Sequence, residues 1–119
     1  MKLENQVVSL ELAKKMFELG FKQGGHYWWR IYIKSNEATF TTDDYCKSNP
    51  KDYTHYVAYT VAELGEMLPI NCASWRSDKT LYSCQRFDFG GCCGQEITAD
   101  TEADCRARLL IWLKENNYL

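Results

Sequence analysis

The chain has 119 residues, 45% of them hydrophobic and 25% charged, with 17 aromatics (4 Trp, 8 Tyr, 5 Phe) and a formal net charge of −2. That size and composition exclude a disordered chain and predict one globular domain with a core built from large rings. A pI near 5.7 leaves no basic field for duplex nucleic acid, and no apolar run approaches the ~20 residues of a membrane helix.

Met1 to Gln6 lacks the apolar stretch of a signal peptide, so the expected compartment is the cytoplasm. There the six cysteines, Cys46, Cys72, Cys84, Cys92, Cys93 and Cys105, are expected as reduced thiols. No Cys-x-x-Cys occurs, and adjacent Cys92 and Cys93 would point to opposite faces of a strand, so no metal site or cofactor is predicted.

Ser9 opens the first predicted helix. Leu10, Ala13, Met16 and Phe17 form its apolar stripe, Lys14, Lys15 and Glu18 lie opposite, and Gly20 closes it. After a flexible turn at Lys22–Gly25, His26 to Lys34 is rich in aromatic and β-branched residues and reads as the clearest strand. Alternation puts Tyr27, Trp29, Ile31 and Ile33 on a core face, and His26, Trp28, Arg30, Tyr32 and Lys34 on an amphipathic one. Ser35-Asn36 turns the chain into a second strand over Glu37 to Thr42. Asp43 to Asp52, with Pro50, reads as a surface loop whose two leading aspartates fit no calcium-loop spacing.

Tyr53 to Tyr59 alternates again as a strand. Thr60-Val61-Ala62-Glu63 has the capping-box form and starts a short helix through Met67, which Pro69 stops. Ile70 to Asp78, containing Trp75 and Arg76, carries no clear period. Lys79 to Phe89 and Cys92 to Thr98 flank Gly90-Gly91 as a hairpin, with Phe89 expected opposite Cys92 and Arg86 opposite Gln95. Thr101 to Asn117 is the last helix: Thr101 caps it, and Glu102 and Asp104 suit the positive end of its dipole. Ala103, Ala107, Leu110, Ile111 and Lys114 share its predicted buried side, Asp104, Arg108 and Glu115 lie opposite, and a sheet is expected beneath it. The order predicts an α+β fold, a mainly antiparallel sheet packed by an N-terminal helix, a short middle helix and a C-terminal helix.

Three segments carry a resemblance: Val8-Ser9-Leu10-Glu11-Leu12-Ala13-Lys14-Lys15 with Glu18-Leu19-Gly20; Thr60-Val61-Ala62-Glu63-Leu64-Gly65-Glu66-Met67-Leu68-Pro69; and Thr101-Glu102-Ala103-Asp104 with Arg106-Ala107 and Leu110-Ile111. In these the chain resembles small proteins of unknown function encoded by tailed bacteriophages and prophages. The resemblance implies a setting, the cytoplasm of an infected bacterium, and action by binding; it carries no site residues.

The sequence contains no phosphate loop, nucleophile elbow or His-Glu-x-x-His. What it offers is a platform: Trp28, Arg30 and Tyr32 at alternate positions of one strand present two rings with a guanidinium between them, expected as an exposed patch. Trp75 and Arg76 are the next candidates. The function these features predict is that of a non-enzymatic accessory protein that binds a host protein or sequesters a small nucleotide-like ligand. The alternative is a small cysteine- or metal-dependent enzyme, with His26 or His55 serving a thiol.

Overall fold

The computed structural model describes residues 3–22, 26–42, 53–69, 71–88, 91–92 and 96–119. The predicted turn at Gln23–Gly25 and the loop over 43–52 lie outside them. The order is a 3-10 turn (Leu3–Gln6), α1 (Leu10–Glu18), β1 (Tyr27–Tyr32), β2 (Ala38–Thr42), β3 (Tyr53–Val57), α2 (Val61–Met67), β4 (Cys72–Asp78), β5 (Leu81–Asp88), β6 (Gly91–Cys92), β7 (Ile97–Ala99) and α3 (Glu102–Glu115). The fold is α+β, and its antiparallel strands form two sheets.

In the first sheet β1 is central, flanked by β2 and β3. Trp29 pairs with Phe40 and Tyr56, and Arg30 with Thr39 and His55. The side bearing Trp29 and Tyr56 meets α1: the Trp29 indole Nε1 donates to Val8 O at 2.7 Å, and Phe17 meets Tyr56 edge-on at 5.4 Å. Coverage there is incomplete. Tyr27, Trp29 and Ile31 are half-buried, a cavity of about 540 Å³ remains between α1 and the sheet, and Ile33, expected in the core, is 56% exposed. The reason is length: β1 ends at Tyr32, so Ile33 falls in the turn and not over the helix.

The stretch without a clear period is a strand. β4 pairs with β5 along its whole length, with a register shift between Arg76 and Asp78. The hairpin expected around Gly90-Gly91 exists, but its register is different: Phe87 pairs with Cys92 and Asp88 with Gly91. Cys92 therefore does not face Phe89, and the turn moves toward the N-terminus; Phe89, Gly90 and Gln95 themselves lie outside the described residues. β7 rejoins β5 through Tyr82↔Ala99 and Cys84↔Ile97.

α3 joins the two sheets. Thr101 accepts from Asp104 N at 3.2 Å as the cap. Ala103, Ala107, Leu110 and Ile111 pack with Val8, Met16, Val57 and Leu64, while Cys105, Leu109 and Leu113 pack with Cys84 and Ala99 of the second sheet. The helix is thus buried on two sides, where one apolar stripe was expected. Lys114, placed on the buried side by spacing, is exposed, its ammonium 5.9 Å from the Phe21 ring. Asp104, placed on the polar side, accepts from the backbone N–H of Ser9 at 2.7 Å, which is how α1 begins, since Ser9 makes no side-chain cap bond. Gly20 ends α1 at φ +87°, as its freedom from Cβ allows. The capping box of α2 is complete, Glu63 N to Thr60 Oγ1 at 3.2 Å and Thr60 N to Glu63 Oε1 at 3.0 Å.

Candidate functional site

Direct cross-strand partners share a face of a sheet. The register therefore places Trp28, Arg30 and Tyr32 beside Val57, His55 and Tyr53 on the face opposite the one that bears Trp29 and Tyr56. The rings of Tyr32 and Tyr53 are 5.2 Å apart. The Arg30 guanidinium carbon lies 4.4 Å from the centre of the Tyr53 ring, a cation–π distance. His55 stands edge-on to Trp28 at 6.4 Å and 6.5 Å from Tyr53.

The patch is not exposed, as alternation alone suggested. Trp28, Arg30, Tyr32, Tyr53 and His55 are all half-buried. β3 supplies rings that crowd β1 from the side, and Trp28 packs against the core cluster that includes Val57 and Leu64. Inside this crowd, Trp28 Nε1 and His55 Nε2 are buried with no hydrogen-bond partner among the described residues. Orphaned buried polar atoms are costly and uncommon, and here two stand on paired strands of one sheet, with their rings 6.4 Å apart. Burial and the charge of Arg30 hold the His55 imidazole below its usual pKa, so it is neutral at pH 7 and can present Nε2 either as a donor or as an acceptor.

Trp75 and Arg76 do not form a unit. As neighbours in β4 they point to opposite faces. Trp75 is 37% exposed and leans on Phe87, also 37% exposed, at 6.4 Å. Arg76 is bound to its own turn, donating to Asp78 O at 3.2 Å and Lys79 O at 2.7 Å. Of the residues singled out in the sequence, the structure gathers Trp28, Arg30 and Tyr32 and separates Trp75 from Arg76.

His55 and Tyr53 were missed as members of the site. The period of two in Tyr53 to Tyr59 was visible, but only the pairing register tells which of its faces joins Trp28.

The cysteines serve packing. Cys84 and Cys105 are fully buried, and Cys105 Sγ donates to Ile97 O at 3.3 Å. The hydrogen bond with Cys105 and burial push the Cys84 thiol far above its ordinary pKa. Burial raises the Cys72 thiol as well, against the opposing pull of Arg86. For Cys84 and Cys72 these are the properties of inert thiols, while the same hydrogen bond with Cys84 lowers the pKa of the fully buried Cys105. Cys72, Cys84 and Cys105 are unpaired, and no cluster of three or more potential metal ligands occurs among the described residues. Among those residues, too, no helix is long and apolar enough to cross a membrane.

No family model, no curated protein and no solved structure matches the chain.

Proposed function

We propose that the chain is a non-enzymatic binding protein that sequesters a small, planar, anionic ligand of nucleotide-like chemistry on the Trp28–Arg30–Tyr32 side of the first sheet. The observation that carries this reading is the orphaned pair Trp28 Nε1 and His55 Nε2, with His55 paired directly to Arg30. An indole N–H and a guanidinium only donate, and an imidazole can donate, so the set favours an acceptor-rich anion. Tyr32 and Tyr53 supply π surface for a planar body. The resemblance to phage-encoded proteins supports a role in the infected bacterial cytoplasm, where removing a small signal serves takeover or counter-defence. Calorimetric titration with AMP and GMP is expected to show saturable binding that adenosine lacks. Arg30→Ala is expected to weaken it by about tenfold or more while the protein stays folded. Equal binding of adenosine, or none by either nucleotide at about 1 mM, would refute the reading.

A second reading, capture of a host protein, has the exposed Trp75–Phe87 contact in its favour, because aromatic anchors are enriched at interfaces. A pull-down from the host with the parent chain and with Trp75→Ala separates the two.

A further inference from the structure

A hollow of about 330 Å³ beside α2 is lined by Lys22, Tyr59, Glu63, Glu66 and Met67. Tyr59 is only 3% exposed, yet its hydroxyl has no hydrogen-bond partner among the described residues. Glu63 spends one carboxylate oxygen, Oε1, on the backbone and hydroxyl of Thr60. Glu66 and Lys22 are exposed and make no ion pair among the described residues. Two carboxylates thus outnumber one ammonium around the hollow, and the potential in it is negative.

Burial, and then the charge of Glu63, push the Tyr59 hydroxyl up to about 12. Burial disfavours charge of either sign, but the Glu63 charge that opposes a phenolate favours a cation. At neutral pH the phenol keeps its proton, and its oxygen lone pairs remain available as acceptors. Tyr59, the second oxygen of Glu63 and the carboxylate of Glu66 together offer acceptors to a group that carries several N–H donors. The Tyr59 ring and the Met67 side chain give apolar wall for whatever bears that group.

We propose that this hollow binds a primary ammonium group carried on an apolar body. An ammonium has three donors and no acceptor, which matches a set rich in oxygen. An alcohol of the same shape would bring neither the charge nor the donors. The assignment does not depend on the anion site of the first sheet, since it uses a different ligand chemistry and different side chains.

The test is a ligand-observed NMR titration of the whole chain with phenethylamine and with 2-phenylethanol at neutral pH. Saturable binding is expected for the amine alone. Tyr59→Phe and Glu66→Gln are each expected to weaken it by about tenfold or more, the scale of a lost charge-assisted hydrogen bond. Tyr59→Phe removes an orphaned hydroxyl, so its melting temperature is expected to stay level or rise, and lost binding then cannot be blamed on unfolding. Equal affinity for amine and alcohol, no saturation by the amine at about 10 mM, or parent-like binding by either variant would overturn the assignment.

Discussion

The two sheets treat their polar groups in opposite ways. On the side of the second sheet that faces α3, polar groups are matched. Arg106 donates to Ser74 Oγ at 3.2 Å, Val61 O at 2.9 Å and Glu102 Oε1 at 2.9 Å, and Cys105 answers Ile97 O. On the far side of the first sheet, Trp28 Nε1 and His55 Nε2 are buried unanswered. One surface is finished by the chain itself, and the other keeps hydrogen-bonding capacity in reserve. Since an unmade buried hydrogen bond costs about 1–3 kcal/mol, the contrast teaches where stability was given up, and binding sites are where such losses are expected to collect.

The largest effect that tests this contrast belongs to the finished side. Leu109 is fully buried against Cys84 and Ala99, so Leu109→Ala is expected to cost about 2–5 kcal/mol in a denaturant titration. Arg108→Ala, at an exposed neighbour, is expected to cost ~0.5 kcal/mol or less. Next comes Arg106→Ala, which leaves Val61 O and Glu102 short of a donor and is expected to cost about 2 kcal/mol. Arg30→Ala should cost less than either and yet be the variant that loses ligand; if it destabilised as much as Arg106→Ala, the first sheet would be as finished as the second.

The smallest effect is the pH dependence carried by His55. Its folded pKa lies below the unfolded value, so it takes up protons more readily when unfolded. Its contribution to stability is present above about pH 6.5 and is lost as pH falls through that value toward the folded pKa. His55→Gln is expected to shrink the drop in melting temperature between about pH 7.5 and 5.5. A bound nucleotide should reverse the sign of the His55 contribution, because an anion favours imidazolium. A nucleotide affinity that falls on acidification would count against His55 in the site.

The helices were legible because their signals are local: the Thr60 box, the Gly20 stop and the Thr101 cap each act within a few residues. β1 was legible from its rings and its period of two. β4 was not, because Cys-Ala-Ser-Trp-Arg-Ser-Asp lies at a sheet edge with five of its seven residues exposed, and an edge strand needs no apolar alternation. The second buried flank of α3 was hidden because Cys105 was not read as a core residue, although thiols are among the most buried side chains. Of the site, Trp28, Arg30 and Tyr32 came from one strand and could be seen in it. His55 and Tyr53 enter through pairing with a strand more than twenty residues away, and no local pattern encodes a register.

The bond from Ser9 N to Asp104 Oδ1 joins positions 95 residues apart, which has a bearing on synthesis. A chain emerging from the ribosome presents α1 first, with its leading N–H groups open to water and the Ser9 hydroxyl making no cap. Asp104 is made 95 residues after Ser9, so this bond at the beginning of the first helix cannot form until that much more chain has been translated. A chain stopped before Asp104 would have the strands of the first sheet but not the carboxylate that accepts from the start of its first helix.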